Sequence, residues 1–328
     1  MNRPCRALSR RAVVAVLTGG LAAGIVSAPA HAQSYPSQTI TLVAPYAPGG
    51  VVDMVARLLQ PGLEEALGQT VVVENRPGAG GMVGSTSVFR AAPDGYTILL
   101  TTNAVMSLNP LIFEEASYDP LADSTPVSIV TTQDLGIAVR SDFEAQTLDE
   151  LVTLSGQGDG FTFGAAGAPQ QIVGAVLTKD TGANLIYIPY NSVGDTLNDL
   201  LGGHIDVTIA TLPSLMPHVQ SGALRLLATS GAERSPQFPD TPTISETLEG
   251  MTTGTWLAVV MPPNTPDDIL GTVYTALMQV LHNDEVRGRL EATNQTVVAT
   301  SPEEARARIA GDLAQWRSFL DRVDLDFE

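Results

Sequence analysis

Residues 39–67 read TITLVAPYAPGGVVDMVARLLQPGLEEAL, and their pattern indicates the class of fold. The β-branched and apolar run that ends at Ala44 predicts a buried strand. After the pair Gly49-Gly50, apolar residues recur three and four positions apart and predict an amphipathic helix over 51–67. A strand, a Gly-rich loop and a helix in this order begin a βαβ unit, in which successive strands are parallel.

The same order recurs along the chain. Strands at 71–73 and 97–100 enclose the loop 77–81 and a helix that ends near residue 92, so the first unit contains a parallel sheet. A second α/β unit is predicted from strands at 161–163, 185–188, 205–209 and 224–228 and from helices near 169–180, 193–201 and 213–219.

Two extended stretches connect these units. They lie at 127–139 and 252–261, and a helical tail follows at 266–281, 284–292 and 302–322. Because the chain leaves the first unit and later returns to it, we expect an α/β protein with a discontinuous first domain. The predicted domains are residues 33–135 with 256–328, and residues 136–255. A cleft between two α/β lobes is the usual place for a small ligand.

The N-terminus has the pattern of a cleaved export signal. Four arginines precede an uncharged, Gly- and Ala-rich apolar run at 12–26, and the small-x-small triplet at 30–32 offers a cleavage site. The run is too short and too weakly apolar for a membrane anchor, which needs about 20 apolar residues. We therefore expect a signal peptide over 1–32 and a periplasmic protein. Residues 9–11 resemble only part of a twin-arginine signal.

Charge and cysteine content exclude several classes of protein. The formal net charge is −18, and removal of residues 1–32, with four arginines and no acidic residue, makes it −22. Such a charge repels phosphate backbones, and Lys179 is the only lysine, so no nucleic acid is expected as a partner. The only cysteine, Cys5, lies in the signal. Disulfides and thiol catalysis are therefore excluded from the mature chain.

The Gly-rich loops are candidate anion sites. Loop 45–50 joins a strand end to a helix start, where free N–H groups and the helix dipole favour a carboxylate; the alternative is that its glycines only make a tight turn. The run 78–84 departs from the dinucleotide fingerprint G-x-G-x-x-G at Val83, and neither a P-loop nor a G-x-S-x-G motif occurs. The mature histidines, which show no metal-ligand spacing, are His204, His218 and His282. We expect no cofactor and no metal.

Several motifs occur in a characteristic order. They are PYAPGGxxD at 45–53, ENRPGAGGxxG at 74–84, PDGYT at 93–97, IPY at 188–190, LLGGHID at 200–206, RSP at 234–236, PDxPT at 239–243, TP at 265–266 and SPEE at 301–304. This set resembles the periplasmic solute receptors of the tripartite tricarboxylate transporter family, the Bug receptors. The resemblance extends over essentially the whole mature chain.

The resemblance implies a two-lobed periplasmic-binding-protein (Venus-flytrap) fold that closes on a small organic carboxylate, with ordered water helping to hold it. The ligand-binding residues that it implies are Tyr46, Ala47, Gly49, Gly50, Asp53, Thr102 and Asn103 in the first lobe and Gly164, Ala165, Ala166, Gly167, Tyr190 and Asp206 in the second. Asp53 has an alternative role, since a carboxylate in the first turn stabilises its own helix.

One loop departs from the family pattern. The family has a Gly-Ser-x-Gly-x-Gly-Ser-x-x-His-like loop before a second-lobe helix, whereas residues 164–171 read GAAGAPQQ and are about two residues shorter. Alanines replace the serines, and Gln171 stands where histidine is common. We expect a less polar second-lobe end, which favours a monocarboxylate or an apolar-tailed acid over a symmetric dicarboxylate.

Three functions remain open at this stage. The first is a monomeric, non-enzymatic receptor that delivers a small organic carboxylate to membrane permease subunits. The second is a sensory receptor of the same fold, with a sensor kinase as its partner. A secreted hydrolase is the third, because catalytic groups can be scattered along a chain without a local motif.

Overall fold

The computed structural model describes residues 35–235, 237–248, 250–293, 295–323 and 325. The predicted signal peptide at 1–32 lies outside these residues. Within the described part of the chain, no helix is long and apolar enough to cross a membrane.

Strands and helices alternate, as the sequence pattern predicts. The strands are β1 Ile40–Ala44, β2 Val71–Asn75, β3 Thr97–Thr102, β4 Thr125–Arg140, β5 Phe161–Ala165, β6 Leu185–Pro189, β7 Val207–Thr211, β8 Leu224–Thr229, β9 Gly254–Met261 and β10 Thr296–Val297. The helices are α1 Val51–Leu67, α2 Met82–Phe89, α3 Asn109–Ile112, α4 Leu148–Ser155, α5 Ala168–Thr181, α6 Val193–Gly202, α7 Leu212–Gln220, α8 Ile244–Thr247, α9 Asp267–Leu281, α10 Asp284–Ala292 and α11 Pro302–Leu320. A 3₁₀ turn at Ala79–Gly81 and a π-helical turn at Ala104–Leu108 complete the set.

The strands form one continuous sheet in the order β2-β1-β3-β9-β4-β7-β5-β6. Strand β1 pairs in parallel with β2 and β3, and β5 pairs in parallel with β6 and β7, as expected for two α/β units. By contrast, β4 and β9 run antiparallel to their neighbours. They carry the chain out of the first unit and back into it, so they run in opposite directions beside each other.

Strand β4 belongs to both halves of the sheet. Its residues Thr125–Asp134 pair with β9, and Leu135–Val139 pair with β7. Strand β10 pairs with the first half of β4 at Thr131–Thr132, and β8 pairs with the second half at Gly136–Arg140. The domain boundaries at 135 and 256 stay a prediction, although β4 changes partners at this point.

Helix α11 contacts the cores of both halves. Ala305 and Ile309 pack in the same apolar cluster as Val43 and Trp256, whereas Trp316 packs in the cluster around β5, β7 and α5. The last helix therefore spans the region where the sheet changes partners.

A buried polar contact holds α11 against β9. The Trp256 indole Nε1 donates to Asp312 Oδ2 at 2.5 Å, and Arg308 Nε donates to Oδ1 of the same carboxylate at 2.9 Å. Trp256 and Asp312 are both buried, and burial raises the Asp312 pKa. The carboxylate is thus the acceptor for an indole N–H that is shielded from solvent.

We expect Asp312→Ala to lower the free energy of unfolding by about 1–3 kcal/mol, because the buried indole N–H loses its acceptor. Urea unfolding measures the change. The matched variant Arg308→Ala removes the half-exposed partner of the same carboxylate. It should lower the free energy of unfolding by less than about 1 kcal/mol. Equal costs for the two variants would contradict the importance of the indole bond.

Candidate functional site

The first candidate region lies at the carboxyl ends of β1, β2 and β3. These ends meet at one edge of the sheet because β1 pairs in parallel with both other strands. The loops 45–50 and 76–81 follow β1 and β2, and Thr102 and Asn103 lie at the end of β3. We refer to these residues together as the first rim.

Tyr46 ties the first rim together. Its hydroxyl donates to the Gly80 carbonyl at 3.2 Å and lies 2.8 Å from Thr102 Oγ1. Burial raises the Tyr46 pKa, so the phenol is neutral at physiological pH. Asn75 Nδ2 donates to the Tyr46 carbonyl at 3.1 Å. Side chains from β2 and β3, together with the Gly80 carbonyl, therefore fix the loop that follows β1.

Gly81 is required for this contact. Its φ of +91° lies in the left-handed region, and a Cβ there would approach the Tyr46 ring to 2.9 Å. Asn109 Nδ2 also donates to the Gly80 carbonyl, at 3.2 Å. The glycines of the second loop thus allow close packing of the first.

Asp53 holds the loop against α1. Its Oδ2 accepts the Gly49 N–H at 2.9 Å, and Arg57 pairs with both carboxylate oxygens. The hydrogen bond from the guanidinium holds the Asp53 pKa below its ordinary value. Gly50 is the N-cap of α1 and has no side-chain cap, and residues 47–50 are exposed. The start of α1 is therefore exposed, and Asp53 fixes the loop that precedes it.

Asn103 has a structural partner. It is buried, and its Nδ2 donates to the Gly254 carbonyl at 3.0 Å, which joins the end of β3 to the start of β9. Thr102 is only partly buried and keeps its hydroxyl beside Tyr46. Of this pair, Thr102 is the better placed to reach a ligand.

The second candidate region lies at the carboxyl ends of β5 and β6, which are parallel neighbours. We refer to residues 164–170 and Tyr190 as the second rim. The Ala165 carbonyl accepts the Tyr190 N–H at 3.1 Å, and a Cβ on Gly164 would lie 2.9 Å from the Tyr190 ring. The Tyr190 hydroxyl donates to Asp199 at 2.6 Å. Burial and this neighbouring carboxylate raise the Tyr190 pKa to about 12.

Helix α5 begins at the second rim. Its N-cap is Gly167, which has a φ of +126° and no side-chain cap. Gln170 lies in the first turn and is 6% exposed, and its Oε1 has no hydrogen-bond partner. Gln170 was missed among the candidates from sequence. The sequence contains a signal for it, because Gln170 precedes Val173 and Leu177 by three and seven residues. This spacing places it on the buried face of the helix.

The structure places Asp206 away from the second rim. It precedes β7, and its Oδ2 accepts from the N–H and the hydroxyl of Thr162 at 2.9 and 2.8 Å. Thr162 lies toward the amino end of β5, whereas Ala165 ends that strand. The Asp206 carboxylate therefore links the amino ends of two parallel strands.

A separate cavity of about 310 Å³ lies between α5 and the C-terminal residues. Its lining includes Gln171, Thr178, Lys179 and Arg322 and contains no residue of the first rim. Among the described residues, no group of three or more His, Cys, Asp or Glu side chains could hold a metal ion.

The chain is similar to receptors of one transport family. The model of the tripartite tricarboxylate transporter family receptor, TctC, matches residues 55–325. Protein BugT of Bordetella pertussis is 32% identical over 309 residues, which cover 93% of this chain and 95% of BugT. This agreement confirms the resemblance seen in the motifs.

Solved structures show the same fold. The periplasmic binding protein BugD is 30% identical, with a TM-score of 0.70 over 88% of this chain and 98% of BugD. The R. palustris protein Rpa4515, solved with adipate, is 28% identical, with a TM-score of 0.74 over 88% of this chain and 98% of that protein. The prediction of a two-lobed α/β periplasmic-binding-protein fold is confirmed.

We expect Asp53→Asn to lower the free energy of unfolding by about 1 kcal/mol at pH 7, because Arg57 loses its charged partner but is itself half exposed. The folded-state pKa of Asp53 is lowered, so its contribution is present above the ordinary aspartate pKa and lost as pH falls through the lowered one. The difference between the unfolding free energies of the two proteins should therefore shrink as the pH falls below about 5, and should continue to shrink as the pH falls through the lowered folded-state pKa.

The pair Arg287–Glu291 provides the control, since it has the same i,i+4 spacing but both side chains are about half exposed. Glu291→Gln should change the unfolding free energy by less than about 0.5 kcal/mol at pH 7. A difference between wild type and Asp53→Asn that persists unchanged at pH 3 would contradict the ionic role of Asp53.

Proposed function

Because the chain belongs to the tripartite tricarboxylate transporter receptor family, we propose that it is a periplasmic solute-binding receptor that captures a small organic carboxylate between its two rims. It works as a monomer and delivers the solute to the membrane permease of a tripartite transporter. The description of the matching family as a receptor, and of BugD as a periplasmic binding protein, supports a binding role rather than an enzymatic one.

The observation that carries this proposal is the open mouth of α1 at the first rim. Gly50 caps the helix without a side chain, and the loop before it is held by Tyr46 and Asp53. Backbone N–H groups at a helix start bind anions through hydrogen bonds and the helix dipole. The loop geometry is set before the ligand arrives, which reduces the entropy lost on binding.

The acidic chain does not prevent anion binding. Charges separated by more than about 8 Å are largely screened at physiological salt, so the net charge acts weakly inside a cleft. Each charge-assisted hydrogen bond contributes about 1.5–3 kcal/mol net. A few such bonds are enough for a Kd near 1 µM, which corresponds to a binding free energy of about −8 kcal/mol.

We assign the candidate residues to two proposed roles. Tyr46, Ala47, Gly50 and Thr102 are proposed to face the ligand in the first lobe, with Ala166 and Gly167 in the second. Gly49, Asp53 and Asn103 have partners that fix the first rim and are proposed to position it. Gly164, Ala165 and Tyr190 shape the second rim, and Asp206 is left outside the proposed site.

We expect a thermal-shift screen of organic acids to raise the unfolding temperature for carboxylates and not for the matching primary amides. Saturating ligand stabilises the native state by RT ln(1+[L]/Kd), about 2.7 kcal/mol at 100 Kd. Small-angle scattering with the tightest binder should show a smaller radius of gyration, as hinge closure requires. No stabilisation by any carboxylate would contradict the proposed function.

Gly50→Val should weaken carboxylate binding at least tenfold, or about 1.4 kcal/mol, because the side chain blocks the mouth of α1. The variant should fold, since Gly50 has a φ of −77° and a Cβ there would lie 3.6 Å from its nearest neighbour, the Ala47 carbonyl oxygen. Titration calorimetry measures the affinity. The control Gly158→Val adds the same side chain where a Cβ meets open space and should bind like wild type.

A further inference from the structure

Gln170 is a buried polar side chain without a partner at the second rim. It is 6% exposed, and its Oε1 is buried and accepts no hydrogen bond within the protein. A Cβ on Gly167, the exposed N-cap of α5, would lie 3.1 Å from this oxygen. The unpaired carbonyl therefore lies beside the uncapped start of a 14-residue helix.

This arrangement destabilises the folded chain. A buried amide oxygen without a donor loses its hydration and gains nothing in return. Val173 and Leu177 follow on the same face of α5 and are fully buried, so an apolar residue would suit the position better. Buried polar groups without a partner in the protein are rare and call for an explanation, such as an ordered water, a bound ion or a functional role.

The other polar groups of the second rim are few. Ala165, Ala166 and Ala168 have no hydroxyl, and Pro169 has no N–H. The Tyr190 hydroxyl donates to Asp199. The Gln170 amide is thus the side-chain group of this rim that remains available to a ligand.

We propose that Gln170 selects the distal end of the ligand, and that its Oε1 accepts a hydrogen bond from a neutral O–H or N–H donor there. The ligand class is then a monocarboxylate with a distal hydroxyl or primary amide. This inference rests on the proposed function, in which the first rim binds the carboxylate. A second carboxylate at this place would put its oxygens, which only accept hydrogen bonds, beside Gln170 Oε1, which also only accepts. This contact is unfavourable and would select against dicarboxylates.

Calorimetry on matched acids tests the proposal. Each probe is a four- or six-carbon acid with a carboxylate at one end. The other end is a methyl, a hydroxymethyl, a primary amide or a second carboxylate. The six-carbon set is hexanoate, 6-hydroxyhexanoate, adipic acid monoamide and adipate. At the preferred length, the hydroxyl or amide ligand should bind at least tenfold tighter than the methyl and the carboxylate ligands. If the dicarboxylate binds most tightly, the Gln170 amide presents Nε2 rather than Oε1, and the proposal is overturned. Equal affinity for all four ligands overturns it as well.

Gln170→Met keeps the length of the side chain and removes its polar atoms. It should lower affinity for the hydroxyl or amide ligand at least tenfold and change that for the methyl ligand less than threefold. The ligand-free variant should unfold at the same temperature as wild type or higher, whereas a merely structural glutamine would give a lower one. The control is Gln171→Met, which changes the next residue, on the separate cavity, and should leave the selectivity intact.

The outcomes separate this proposal from the one on which it rests. If no acid of either length binds, both fail. If the acids bind but Gln170→Met keeps the wild-type selectivity, only the role of Gln170 fails. If the variant does not fold, the wild-type series alone decides, because it compares ligands and not proteins.

Discussion

The pairing of β4 with two different sets of strands is the constraint on which both rims depend. Up to Asp134 the strand pairs with β9, and from Leu135 it pairs with β7 and, over nearly the same residues, with β8. Ser230 fixes the point of change, because its hydroxyl accepts the Leu135 N–H at 2.8 Å and its own N–H donates to the Leu135 carbonyl at 2.9 Å. The positions of the two parallel groups of strands, and of the loops at their carboxyl ends, follow from this register.

The region around the change of partner is tightly packed. A Cβ on Gly231 would lie 2.9 Å from Asp134 Oδ2, and one on Gly254 would lie 2.8 Å from the Gln133 carbonyl oxygen. Burial raises the Asp134 pKa. A closing movement of the kind proposed must therefore bend a hydrogen-bonded ladder of two strands, and α11, which packs on both cores, must move with it.

The elements set by local patterns were predictable from sequence, and those set by distant partners were not. Helix α1 has the predicted bounds because its apolar spacing and flanking glycines are local signals. Helix α4 was missed, although Thr147 caps it by accepting the Glu150 N–H, a pattern visible in the sequence. The antiparallel place of β9 beside β3 has no local signal. Likewise, Asn103 follows a strand end as a ligand residue would, but its partner Gly254 is 151 residues away.

The two rims differ in how they are built, and this difference bears on selectivity. In the first rim, Asn75 donates to the Tyr46 carbonyl and Asp53 accepts the Gly49 N–H, whereas the N-cap of α1 has no side-chain partner. Backbone N–H donors at a helix start would bind the carboxylate group that all organic acids share, so they provide little selectivity among acids. In the second rim, Gln170 Oε1 accepts no hydrogen bond from the protein. A ligand without a hydrogen-bond donor at this place would leave that oxygen without a partner. If the proposed site is right, discrimination between acids falls to the second rim, at the start of α5.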